Sequence, residues 1–189
     1  MNRDIIKTLH GKQWLTVSIQ KSPLETKINE ILLSKNVDWK RKNLNLIKEN
    51  YRGAPFFDQI FPLLAQLYDS GCEYLIEFSL KSIRLLMSLF DIQIQTMYAS
   101  SLQTQGNNNQ LLIDILKKVG ATTYLSGIGA RAYYDPQPFI EANIEVIWQD
   151  FKHPEYPQLY GDFIPYLSSI DLLFNCGINK SRAILRSCS

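Results

Sequence analysis

Apolar and polar positions alternate over residues 13–20, where Leu15, Val17 and Ile19 interleave with Thr16, Ser18 and Gln20, the period of a half-buried β-strand. The short polar segment ahead of it supplies no partner, so its edges must be covered by later parts of the chain or by another subunit. The period then lengthens to that of a helix. A basic helix is expected over 38–50, then a break at Arg52-Gly53-Ala54-Pro55, with Pro55 suited to the first turn of the next helix. Phe57, Ile60, Phe61, Leu64, Leu67 and Tyr68 recur at the three-and-four spacing of an amphipathic helix that stops at Ser70-Gly71. Over 73–90 the spacing repeats in Ile76, Leu80, Ile83, Met87 and Phe90, widened by Leu75, Leu86 and Leu89. The two helices form a hairpin whose aromatics and Met87 serve packing.

Past residue 90 strands alternate with helices: a strand at 92–98, a helix at 109–119 ended by Gly120, a strand at 122–125, a short helix after Asp135-Pro136, and a strand at 144–148. Such β-α-β-α-β order predicts an α/β fold: a three-layer, mostly parallel, Rossmann-like sheet with right-handed crossover helices and the helical hairpin as an insertion. Helical segments near 167–174 and 179–186 close the chain, with Asn175 and Gly177 ending the first of them.

Length and composition change this picture little. With 189 residues and 46% hydrophobic positions, one globular domain is expected. No apolar run is long enough to span a membrane, and Met1-Asn2-Arg3-Asp4 lacks the apolar stretch of a secretory signal, so a cytoplasmic protein is expected. Three cysteines, Cys72, Cys176 and Cys188, have neither CxxC spacing nor nearby histidines and read as free thiols; no metal site is expected. The net charge of +2 hides an asymmetry: residues 1–52 carry eleven Lys/Arg against five Asp/Glu, and the remainder nine against thirteen. A basic front suits either a solvated face or phosphate groups of nucleotides or RNA.

In an open parallel sheet ligands bind beyond the carboxyl ends of the strands. The polar loop 99–109, with Ser100 and Ser101, reads either as a binding loop or as a connection that caps the next helix. The segment Ser126-Gly127-Ile128-Gly129-Ala130-Arg131-Ala132-Tyr133-Tyr134-Asp135 is the most informative. Gly127 and Gly129 permit close backbone approach, Arg131 offers a planar cation, and Ser126 and Tyr134 add polar contacts, a pattern suited to an anion or a sugar. It lacks the third glycine of the dinucleotide fingerprint. In the last loop His153 stands beside Glu155, Tyr156 and Gln158 and reads either as a general base or as a hydrogen-bonded structural residue. Asp171 either orients such a base or caps its helix. The three loops are expected to converge at one sheet edge.

Taken together, these stretches resemble the WbqC-like protein family. The likeness rests on Tyr124-Leu125-Ser126-Gly127-x-Gly129-x-Arg131 followed by Tyr133 or Tyr134, Asn2-Arg3-Asp4-Ile5-Ile6-Lys7 before Trp14-Leu15, and Tyr51 through Phe57. It rests also on Ser100-Ser101, His153-Pro154-x-Tyr156-x-Gln158, and Leu167-Ser168 through Gly177. Complete members of the family begin with a His/Met-Gln-Pro-x-Tyr-Phe-Pro strand-loop and an acidic strand, so this chain is expected to be N-terminally shortened. The resemblance implies a role in assembling O-antigen or related surface polysaccharide, as a transferase that adds glycine or another acyl group to a nucleotide-linked amino-sugar without a cofactor. His153 would be its base, with Asp171 or Tyr156 orienting it. Arg131 and the glycine N–H groups would hold phosphate or oxyanion. The partners implied are a nucleotide sugar or amino-sugar and an activated amino acid, with tRNA the one nucleic acid in question, no membrane, and a homo-oligomer as one arrangement. A non-catalytic scaffold protein with the same polar cleft is the competing reading.

Overall fold

The computed structural model describes residues 2–188. It is an α/β chain that packs as two units, one formed by Met1–Gln93 with His153–Ser189 and the other by Ile94–Lys152.

The first unit opens on a hairpin. Strand β1 (Arg3–Thr8) runs antiparallel to β2 (Gly11–Thr16), with Ile5 opposite Trp14 and Thr8 opposite Gly11. The expected strand at 13–20 therefore has a partner immediately before it, contrary to the reading that the polar N-terminal segment offers none. The signal was hidden because Ile6, Lys7 and Thr8 are all buried, which erases the alternation of a half-exposed strand. Gly11, at φ +100°, makes the tight return. The outer edge of β1 is covered within the chain where the Ser168 N–H donates to the Ile5 carbonyl at 2.7 Å.

Helix α1 (Trp39–Tyr51) starts at Asp38, whose carboxylate accepts from the Arg41 N–H at 3.2 Å. Helices α2 (Phe57–Tyr68) and α3 (Leu75–Phe90) form the expected hairpin. The Glu77 carboxylate accepts the N–H groups of Glu73 and Tyr74 at the start of α3, which holds its pKa below the usual range. On α3, Leu75, Leu89 and Phe90 of the expected face are buried, but Phe78, outside that face, is buried too, while Ile83 within it is 51% exposed. Phe78 locks the turn by edge-on contact with Trp39 (5.2 Å) and Tyr68 (5.3 Å). The last helix, α6 (Ser169–Arg186), is two helical segments joined at Gly177, whose φ of 71° and ψ of 169° interrupt it where the sequence predicts an end.

The second unit holds helix α4 (Asn108–Lys118), strand β3 (Thr123–Ser126), helix α5 (Gln137–Glu141) and strand β4 (Glu145–Trp148). β3 and β4 are parallel, with Ser126 opposite Trp148. Ile113, Leu116, Phe139 and Ile144 form its own small core. The three-layer, mostly parallel sheet is not what the described residues form: they make two sheets of two strands, one antiparallel and one parallel. The difference lies at residues 92–98, which form no strand. Ile94 and Met97 are 66% and 56% exposed, and the segment passes into a short 3-10 turn, Ala99–Leu102. Alternation there had no sheet to join, and a strand exists only through its partner. Among the described residues no helix is long and apolar enough to cross a membrane.

Candidate functional site

Two groups of polar side chains carry chemistry, one in each unit. In the second unit β3 and β4 end together at Ser126 and Trp148, so the loops beyond them leave the same end of the parallel pair. The loop after β3 coils into a 3-10 turn, Ile128–Tyr133. Arg131 stands exposed on this turn with its guanidinium carbon 5.2 Å from the centroid of the Trp148 ring. Neither Gly127 nor Gly129 has a positive φ, and nothing lies within 4 Å of where a Cβ would sit on either. The backbone does not need glycine here; what the glycines leave is open space beside the arginine. Tyr134 turns inward and packs on Phe139 (5.3 Å) and Trp148 (5.1 Å), leaving Tyr133 as the exposed ring. Ser126 is buried at the strand end. Ser100 and Ser101 lie exposed in the 3-10 turn, where the Ser101 hydroxyl donates to the Tyr98 carbonyl at 2.7 Å.

The first unit brings together Lys7, Tyr51, Tyr156, Gln158 and Asp171. Asp171 is fully buried in the first turn of α6, yet its carboxylate does not cap that turn. Its Oδ1 accepts from the Tyr51 hydroxyl at 2.6 Å, and the Tyr51 oxygen in turn accepts from the Lys7 N–H at 3.2 Å. Oδ2 is buried with no hydrogen-bond partner among the described residues. The Lys7 side chain is buried as well, and its ammonium donates to Gln158 Oε1 (3.1 Å) and to the Asp162 carbonyl (2.5 Å). Gln158 clamps its own loop, donating to the Ile164 carbonyl at 3.0 Å and accepting the Ile164 N–H at 2.9 Å.

Burial pushes the Asp171 carboxyl above its ordinary range, against the opposing pull of the Tyr51 and Tyr156 hydroxyls and the Lys7 charge. Burial, with Asp171 adding to it, raises both Tyr51 and Tyr156, so both phenols stay protonated, and Tyr51 is the one that donates to Asp171. An acid with a raised folded-state pKa holds its proton longer than the unfolded chain does, so its contribution to stability is full below the unfolded value of 3.8 and is lost as pH rises through the folded one. Asp171→Asn is therefore expected to flatten the pH dependence. Urea unfolding from about pH 4 to pH 7 should show wild type losing stability relative to the variant as pH rises; parallel curves would refute it.

His153 is half-buried, its Nδ1 2.9 Å from the Pro154 carbonyl oxygen and its ring packed among Tyr156 (6.2 Å), Phe163 (5.7 Å) and Tyr166 (5.1 Å). Of the residues singled out from the sequence, the first unit thus gathers Tyr156, Gln158 and Asp171 into one network and sets His153 against Tyr156. Sequence reasoning passed over Lys7 and Tyr51 as participants, although both lie in the matched motifs. A lysine inside a strand and a tyrosine on a helix face carry no local mark of burial. Among the described residues no group of three or more His, Cys, Asp or Glu is placed to hold a metal ion.

These features define an α/β protein with an exposed arginine–glycine turn at the end of a parallel strand pair and a buried Lys-Tyr-Asp network. The chain belongs to the WbqC-like protein family, whose model matches residues 1–183. It is similar to an uncharacterised protein of Mycobacterium tuberculosis, Rv1507c, at 36% identity over 181 residues, which covers 93% of this chain and 77% of that protein. No solved structure matches.

Proposed function

We propose that this chain is a transferase of surface-polysaccharide assembly that adds glycine or a related acyl group to the amine of a nucleotide-linked amino-sugar. The observation that carries the reading is the Gly127–Arg131 turn. An exposed guanidinium steadied on the Trp148 ring, beside open space over two glycines, suits a phosphate group, since a planar cation with fixed orientation can take two oxygens at once. The amine nitrogen attacks the acyl carbon, the carbonyl electrons move onto oxygen, and collapse of that oxyanion expels the donor's leaving group while a base accepts the amine proton. His153 is the proposed base and Tyr156 its positioning residue. Asp171, sealed beneath Tyr51, acts through that network and not on substrate. The sealing of Asp171 is also what favours a second reading, in which the chain binds the sugar nucleotide as a scaffold without turnover.

Calorimetry with a dTDP-linked amino-sugar, then mass analysis after adding candidate acyl donors, separates the two. Arg131→Ala is expected to weaken binding about tenfold, the loss of one charge-assisted contact, with an unchanged melting temperature. Binding without any product mass favours the scaffold. Equal affinity of wild type and Arg131→Ala removes the phosphate assignment, and unchanged turnover in His153→Ala removes the base.

A further inference from the structure

Residues 94–98 carry an apolar pattern that the second unit does not use. Ile94 and Met97 stand exposed, and among the described residues the backbone groups of 94–97 bond to no other backbone group. Strand β3 has the matching vacancy. Its ladder runs to β4 alone, so its other edge meets no strand, and such an edge is a template for a further one. The hand of the connections says which segment belongs there. Ile113 and Leu116 of α4 share a core with Phe139 of α5, on the face to which Tyr124 and Val146 point, so both crossover helices cover the same side. Right-handed crossovers on one side set successive strands in one direction, which gives the order 94–98, β3, β4. Helix α4 then lies over the vacant place, and its Leu111, Leu112 and Ile115 are only half-buried. The chain just past the segment is already held to α4, where the Gln103 carbonyl accepts from the Lys118 ammonium and the Gln105 N–H donates to Asp114.

The register follows from the level ends of the pair, Ser126 opposite Trp148. With Tyr98 level with Ser126, Thr96 falls opposite Tyr124 and Met97 opposite Leu125. The alternation agrees: Ile94 and Thr96 turn toward α4 together with Tyr124, and Met97 comes to lie beside the exposed Leu125. We propose that residues 94–98 dock on the open edge of β3 as a third parallel strand, and that docking carries Ser100 and Ser101 to the Gly127–Arg131 turn, where their hydroxyls join Arg131 on a phosphate. The turn Ala99–Leu102 follows Tyr98 directly, so it leaves the docked strand at the end where ligands of parallel sheets bind. The docking stands on the fold alone; the role of the serines rests on the phosphate reading of Arg131. A phosphate that touches Ser100 and Ser101 only in the docked state favours that state.

Paired cysteines read the docking without any ligand. Met97→Cys with Leu125→Cys should close a disulfide under mild oxidation, since neighbouring strands bring Cα atoms within bonding range. Thr96→Cys with Leu125→Cys should not, since those side chains point to opposite faces. Positions 96, 97 and 125 are all exposed, so the substitutions leave the core intact, and peptide mapping separates these bonds from any to Cys72, Cys176 or Cys188. Inorganic pyrophosphate should slow hydrogen exchange at the amides of 94–98 in wild type. Ser100→Ala with Ser101→Ala should weaken pyrophosphate about tenfold in calorimetry. Docking is overturned if both cysteine pairs close equally or if neither closes. The role of the serines is overturned if pyrophosphate binds wild type and the serine variant equally, with exchange at 94–98 unchanged. No heat with pyrophosphate removes the phosphate assignment and the serine role together, while the cysteine pairs still decide the docking.

Discussion

Replacing Gly177 by Ala is expected to destabilise the protein by about 3 kcal/mol or more, from backbone strain and overpacking together. Gly177 sits at φ 71° and ψ 169°, a region that residues with a Cβ almost never occupy. A Cβ there would also stand 2.6 Å from Cδ1 and Cε1 of the Phe56 ring. The backbone beneath that ring is tied to α6, because the Phe56 N–H donates to the Phe174 carbonyl at 3.1 Å. Phe56 is 38% exposed, so the ring itself has some room, and the two causes can be separated. Adding Phe56→Ala to Gly177→Ala should recover the steric part and leave the strain. Urea unfolding of the four proteins measures both; a Gly177→Ala variant within about 0.5 kcal/mol of wild type would show that the kink is not a constraint of the fold.

Lys7→Met is expected to cost a comparable amount, about 3 kcal/mol, by leaving buried acceptors and a buried carboxylate without their cation. Methionine keeps most of the stem volume but donates to neither Gln158 Oε1 nor the Asp162 carbonyl. Since Gln158 holds residue Ile164 by two bonds, the loop from 158 to 164 loses its tie to β1 and should become the first site of proteolytic nicking. Lys7 also stabilises the charge of Asp171. Asp171→Asn should therefore hurt less in the Lys7→Met background than alone, with a coupling of about 1 kcal/mol. A coupling of zero would mean that Lys7 serves only the loop.

Local signals carried much of the architecture. Helices α2 and α3 follow from three-and-four spacing, and the ends of α1, α2 and α4 from the Arg52-Gly53-Ala54-Pro55 break, Ser70-Gly71 and Gly120, while β3 and β4 are short runs between turn residues. Two positions on α3 show the limit of that method. Ile83 fits the apolar stripe but meets solvent, while Phe78, off the expected face, wins burial through Trp39 and Tyr68. On the site, the Gly127–Arg131 turn was visible because its residue types are unusual at a strand end. The Asp171 network was not, since Tyr51 is 120 residues away in sequence and only packing makes them neighbours.

The sequence by itself thus determined the helices, the parallel pair, the turn that offers Arg131, and, through ordered motifs, membership of the WbqC-like family. Only the tertiary structure decided that Arg3–Thr8 is a strand, that residues 92–98 are not, and that Lys7 and Asp171 lie in the interior. Helices and turns are written in bonds between near neighbours, so their causes lie within a few residues. Strands and buried charges exist only through partners far along the chain, and no local pattern names those partners.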